Sequence, residues 1–202
     1  MLESVKNSGS LASGSIKIGG GSINNFNENR AVARLSELLA LEMGVSPATA
    51  RQIRAAAGLH DIGKQKIPKS ILYKPGKLDA QEFEIMKTHT KLGAAMLSSI
   101  QGILGEMATL TALYHHEWKN GAGYWGVPSY YLPDYVNITA ICDVFTALVT
   151  ERPYKGAWPP EEALAYILNQ AGTQFSDDLV GVFIPLVRNE ERVSALFEGV
   201  KN

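Results

Sequence analysis

From about Asn27 onward, apolar residues return every three or four positions, and no stretch alternates apolar with polar as a half-buried strand would. That spacing lines up one face of a helix, whereas a strand needs a period of two. Val32, Leu35, Leu38, Leu39 and Met43 make the first such stripe, and Gly44 ends it. Ser46 and Pro47 then supply an N-cap and a first-turn proline for a second helix, running through Ile53 and Ala57 to His60. The loop over 62–78 carries Lys64, Lys66, Lys69, Lys74 and Lys77, interrupted by Pro68 and Pro75-Gly76. Asp79 and Glu82 have the spacing of a capping box, with Leu78 and Phe83 placed as a hydrophobic staple. The helix that follows puts Ile85, His89, Leu92, Met96 and Ile100 on one face, which turns His89 inward, and Gly93 one turn on allows close backbone approach. Further helices are expected over about 106–118, over 135–150 with Ile138, Ile141, Phe145 and Leu148 buried, over 160–170 and over 177–188. The fold expected is all-α, a bundle of about seven helices.

With 202 residues the chain can build one full-sized core but not two comfortable ones. Residues 1–26, rich in Gly, Ser and Asn, read as a flexible lead-in, 27–188 as the domain, and 189–202 as a tail. Nineteen basic residues against 20 acidic ones give a net charge of −1, so no global charge draws DNA, RNA or an anionic membrane. A single Cys142 excludes an internal disulfide and a cysteine-based zinc ribbon. There is neither a signal-peptide pattern nor a membrane-length apolar run, so a reducing cytoplasm is the location expected.

All 4 histidines fall into short motifs: His60-Asp61, His89, and His115-His116, the last at the end of an apolar segment that breaks into a glycine-rich loop. Asp143 follows downstream. Neighbouring helical residues point ~100° apart, so a doublet at a helix end can embrace a metal ion or bridge two. Imidazole with carboxylate suits iron, manganese or zinc better than magnesium or cuprous copper. A shared carboxylate such as Asp61 can bridge two ions that polarise a phosphodiester. Each residue alone has a plainer reading: His89 as a hydrogen-bonded core residue, Asp143 as a solvated helix position, Arg152-Pro-Tyr-Lys155 as a turn. The lysines of 62–78 are most simply a wet loop face, with Lys64 the exception. Trp118, Trp125 and Trp158 read as packing or rim residues, although Trp125 could stack on a base.

Taken together, His60-Asp61-Ile-Gly-Lys64, His89-x-x-x-Gly93, His115-His116-Glu117, Gly121-Ala-Gly123-Tyr124, Asp143 and Arg152-Pro-Tyr-Lys155 resemble the HD-GYP branch of the HD-domain phosphohydrolases. The likeness runs over about 27–188. It implies a helical bundle that hydrolyses cyclic di-GMP at a centre of two or three metal ions, often iron or manganese. On this resemblance His60, Asp61 and Asp143 help hold one divalent ion, and Asp61 bridges to a second held by His89, His115 and His116. Lys64 stands beside the nucleophile or the substrate phosphate, and Arg152 and Lys155 grip phosphate oxygens. Tyr124, with flexible Gly121 and Gly123, shapes a guanine-facing rim. An upstream sensor domain or signalling partner is implied, and a homodimer is left open.

The chain departs from the family pattern at four places. Asn27 stands where the family has its first histidine, Asn120 where it has an aspartate, Trp125 where GYP has proline, and Thr146 where a second aspartate follows Asp143. Three readings therefore stand side by side: a phosphodiesterase opening cyclic di-GMP, with reduced turnover; a degenerate module that keeps metal or nucleotide without cleaving it; and a phosphohydrolase for another cyclic dinucleotide or a nucleotide monoester.

Overall fold

The structure is a computed structural model and describes residues 25–151 and 156–189. Helices α1 (Asn25–Glu42) and α2 (Pro47–Ala57) pack as a pair, followed by a 3-10 turn at Ile62–Lys66 and the single turn α3 (Lys69–Leu72). Then come α4 (Ala80–Lys87), α5 (His89–Leu97), α6 (Ile103–Tyr114), a second 3-10 turn at Ser129–Tyr131, α7 (Asp134–Val149), α8 (Pro160–Asn169) and α9 (Asp177–Arg188). The α1 helix lies against α2, α7 and α9, while α6 is sandwiched among α2, α5 and α7. The described residues form no strand, only an isolated bridge between Ala171 and Phe175. None of their helices is long and apolar enough to cross a membrane.

The expected stripes make the core. Val32, Leu35 and Leu39 of α1, Ile138, Ile141 and Phe145 of α7, Ile167 of α8 and Phe183 of α9 are all 0% exposed. Phe145 and Phe183 meet edge to face with ring centres 5.5 Å apart, a favoured aromatic geometry. The expected caps form, Ser46 accepting from the Thr49 amide and Asp79 with Glu82 closing a capping box, and Ser176 also caps the last helix by accepting from the Leu179 amide. Cys142 is buried in this core, which pushes its thiol pKa up and leaves it inert.

Four boundaries differ from the expectation. The α2 helix stops at Ala57, and the chain turns through Gly58 so that His60 and Asp61 stand just outside it. The loop 62–78 holds two short turns that its prolines and lysines conceal. Helix α6 begins and ends about three residues early, which leaves His115 and His116 beyond its last turn. The helix expected through His89 is two, broken at Thr88, whose hydroxyl donates to the Ile85 carbonyl at 2.6 Å. The break changes the phase of the buried face. Ile85 and Ile100 are exposed, whereas His89, Thr90, Gly93, Ala94 and Leu97 are covered. Met43 also lies near the surface rather than in the core.

One contact sets how close α5 comes to the turn that carries Asp61. A Cβ placed on Gly63 would lie 1.9 Å from the His89 carbonyl oxygen and 2.5 Å from the Gly93 nitrogen. Backbone meets backbone here, and only glycine leaves room. Gly63→Ala must therefore push α5 away; we expect a loss of ~2–3 kcal/mol, read as a fall of roughly 5–10 °C in the melting temperature by circular dichroism.

Candidate metal centre

Six side chains from four parts of the fold converge. His60 and Asp61 come from the turn after α2, His89 from the first residue of α5, His115 and His116 from the residues after α6, and Asp143 from the middle of α7. Asp61 is the hub. Its Oδ2 lies 3.3 Å from His60 Nε2, and its Oδ1 lies 3.3 Å from His89 Nε2 and 3.8 Å from His115 Nε2. Asp143 Oδ1 approaches His60 Nε2 at 3.5 Å. The His115 and His116 rings are 4.0 Å apart, and both stand within 5.4 Å of His89.

The backbone decides which way the imidazoles face. His60 Nδ1 donates to the Ala57 carbonyl at 2.7 Å, His89 Nδ1 to that of Met86 at 2.8 Å, and His115 Nδ1 to that of Thr111 at 3.0 Å. Carbonyls only accept, so the proton of each neutral ring sits on Nδ1 and the lone pair on Nε2. His89 Nε2 and His115 Nε2 are then two acceptors 3.4 Å apart. With both rings neutral they cannot bond each other, and a cation or a shared donor between them would satisfy both. His60 Nε2 and Asp61 Oδ1 are likewise buried without a hydrogen-bond partner, a costly state for polar atoms unless something else satisfies them. His89, His115 and His116 make one ligand-like group and His60, Asp61 and His115 another, each with its donor atoms within 4.8 Å. The donor set fits divalent ions of the kind that imidazole and carboxylate share.

Electrostatics point the same way. Burial opposes a charge on Asp61, but Lys64 and His60 outweigh it and hold the carboxyl well below the usual range. Burial also opposes charge on Asp143, yet His60 holds that carboxyl low as well. On His60 burial is overcome by Asp61 and Asp143, which push its pKa up to about 10. Burial lowers the other three, His116 to about 4, with neighbouring imidazoles adding repulsion. Without metal, then, one proton sits where the two carboxylates demand a cation. Lys64 Nζ donates to Asp61 Oδ2, and its side chain is 31% exposed. Burial, with Asp143 and Asp61 nearby, pushes the Tyr124 phenol up to about 12 and keeps it neutral.

The glycine loop is organised by a residue to which sequence reasoning assigned no role. Glu117 is 4% exposed and accepts from the amides of Trp125 at 2.7 Å and Val127 at 2.9 Å. Its place directly before a glycine-rich loop, whose amides need acceptors, was the available signal. Tyr124 leans on His116 with ring centres 4.4 Å apart and meets Phe83 at 5.8 Å. Gly121 has φ 77° as a turn demands. Gly123 is not a flexible rim residue: a Cβ there would lie 2.5 Å from the His116 carbonyl oxygen, so it is a close-approach position. Asn120 accepts from the Ala122 amide at 2.9 Å and serves the loop's shape. Thr146 is 0% exposed with its hydroxyl unpartnered. Arg152 and Lys155 lie outside the described residues, and so does the side chain of Asn27.

Two outcomes are expected. Near neutral pH, binding of a divalent ion to the metal-free protein should displace the His60 proton and release about one proton per chain, measured by calorimetry in buffers of different ionisation enthalpy. The release should fade and the affinity rise as pH approaches 10, since the competing proton is then lost. Glu117→Gln should leave one loop amide facing a side-chain N–H, cost ~1–3 kcal/mol, and raise amide hydrogen exchange at Trp125 and Val127.

Comparison with known proteins agrees with the geometry. The HD domain family matches residues 23–179. A cyclic di-GMP phosphodiesterase of Thermotoga maritima is 42% identical over 156 residues, covering 77% of this chain and 42% of that protein. The cyclic di-GMP phosphodiesterase response regulator RpfG of Xanthomonas campestris is 40% identical over 154 residues, 76% of this chain and 41% of its own length. A 3'3'-cGAMP-specific phosphodiesterase of Vibrio cholerae is 40% identical over 157 residues, 76% of this chain and 30% of its own. The chain thus spans less than half the length of these relatives. Among solved structures, an HDG"Y"P protein from Bdellovibrio bacteriovorus superposes with a TM-score of 0.68 at 17% identity, over 82% of this chain and 53% of the other. The HD domain of L. monocytogenes phosphodiesterase PgpH gives 0.60 at 18%, over 88% and 93%; both show a shared fold. Motif order, helical architecture and sequence likeness agree, and the chain belongs to the HD-domain family, in its HD-GYP branch.

Proposed function

We propose that this chain is a metal-dependent phosphodiesterase that opens cyclic di-GMP to linear pGpG. The observation that carries the reading is the convergence of buried imidazole lone pairs on Asp61, with the Nδ1 atoms of His60, His89 and His115 tied back to carbonyls. The relatives named as cyclic di-GMP phosphodiesterases support the substrate. His60, Asp61 and Asp143 would hold one divalent ion, and Asp61, His89, His115 and His116 a second, iron or manganese before zinc. When bound, such ions supply Lewis acidity toward phosphoryl oxygens and make water acidic enough to attack. Lys64, fixed to Asp61 yet reachable from solvent, presents its ammonium to an oxygen of the scissile phosphate. Arg152 and Lys155 would grip phosphate as well, and Tyr124, neutral and stacked beside His116, would bound the pocket with the loop of Gly121 and Gly123. In the overall step water adds to phosphorus and the ribose O3′ leaves with a proton, giving a linear dinucleotide with a 5′-phosphate.

A second substrate, 3'3'-cGAMP, is favoured by the Vibrio cholerae relative at 40% identity. The test is chromatography of products from metal-loaded protein offered each cyclic dinucleotide in turn. The parent chain should yield linear pGpG, and His116→Ala should slow this by at least ~100-fold. Identical traces from the two proteins would sink the phosphodiesterase reading. Micromolar binding without turnover under iron, manganese or zinc would leave the binding-module reading that Asn27, Asn120 and Thr146 motivate.

A further inference from the structure

We propose that Lys91 and Lys87, held against Trp125, form a second phosphate subsite that takes the diester of the cyclic dinucleotide that is not being cleaved. The proposal rests on the reading above of a cyclic dinucleotide as substrate. It starts from Trp125, which stands where the family motif has proline. The residue is fixed at two points: its amide donates to Glu117 Oε1 at 2.7 Å, and its indole Nε1 donates to Thr90 Oγ1 at 3.1 Å. Thr90 is itself anchored, donating to the Lys87 carbonyl at 2.9 Å. A ring locked at both ends is a platform, and it carries a cation. Lys91 Nζ lies 3.6 Å from its centroid and Lys87 Nζ 5.4 Å from it, both within cation–π range.

These two charges belong beside the metal centre. Lys91 follows buried His89 by two residues on the same helix, so its side chain leaves on the other side, and the shelf reaches the centre through Lys87 and Tyr124. Lys87 Nζ is 5.8 Å from the Tyr124 ring, and that ring is 4.4 Å from His116. Lys87 is therefore separated from the imidazole cluster by one aromatic ring, and Lys91 stands beyond it on Trp125. Lys91 is exposed and has no carboxylate partner among the described residues. Lys87, 16% exposed, donates to both carboxylate oxygens of the 66% exposed Glu84 at 3.0 and 3.2 Å, so Lys91 is the more available of the two charges.

Charge supplies the need. A cyclic dinucleotide carries two phosphodiester anions on one ring, and only one of them can face the His and Asp cluster at a time. The chain as a whole has a net charge of −1, so no general field receives the other; a local pair of ammonium groups does. Because Lys91 occupies a face of the indole, Trp125 acts as the holder of that charge, and it is a positioning residue.

The test is steady-state kinetics of the metal-loaded full chain on cyclic di-GMP and on bis(4-nitrophenyl) phosphate, a diester with no second phosphate. Lys91→Gln should raise KM for cyclic di-GMP about tenfold with kcat within about twofold. The ratio of kcat/KM for the two diesters should fall by the same factor, and the salt dependence of KM should become shallower. Trp125→Ala should move KM in the same direction, and Trp125→Phe, which keeps an aromatic face, should restore most of it. Lys77→Gln removes the same charge from an exposed lysine off this shelf and should leave KM in place. An unchanged KM in Lys91→Gln, or a loss shared equally by both diesters, overturns the subsite. If the parent chain cleaves neither diester, the phosphodiesterase reading fails, and the subsite is then judged by calorimetry. Binding of cyclic di-GMP weakened about tenfold by Lys91→Gln supports it, whereas unchanged affinity or no binding by the parent chain overturns it.

Discussion

A buried carboxylate with too many imidazoles around it governs this molecule. Asp61 faces His60 with one oxygen and both His89 and His115 with the other. Three rings spend their Nδ1 protons on backbone carbonyls and so turn Nε2 toward Asp61. Packed protein does not leave such groups unanswered, because an unsatisfied buried polar atom costs as much as a good core contact gives. A cation is the simplest answer, and in its absence His60 takes up a proton. Carbonyl anchoring of the far ring nitrogen is also what orients metal-binding histidines generally.

That constellation requires helices to approach more closely than side chains allow. Gly63 and Gly93 remove the obstacle between the Asp61 turn and α5, and Gly123 removes the one between the loop and the His115-His116 segment. Glu117 then pins the loop from below through two amides. The site is held on rigid elements by contacts with no spare volume, which is the condition for placing donor atoms within tenths of an ångström.

The same constraints account for what differs from the family pattern. Asn120 finds a structural use in the loop, so its lost carboxylate leaves no hole there. Thr146 is different, since its hydroxyl is buried without a partner one turn from Asp143. Trp125 changes the rim most, by bringing a large ring and two lysines to a place where the family motif has proline.

The all-helical fold and the identity of the gathering residues were legible in the sequence. Apolar period and caps act locally, and histidines confined to motifs mark themselves, as His60, His89, His115 and His116 do. Helix ends were less legible: the break at Thr88 and the stop of α2 at Ala57 depend on where His89 and His60 must point, which neighbouring residues alone do not encode. Only the tertiary structure decided that Gly123 is a contact rather than a hinge, that Glu117 supports the loop, and that Lys91 rides on Trp125. Those facts concern residues distant along the chain or on different elements. Their physical cause is the space and charge left over once the helices have packed, a quantity that no local pattern carries.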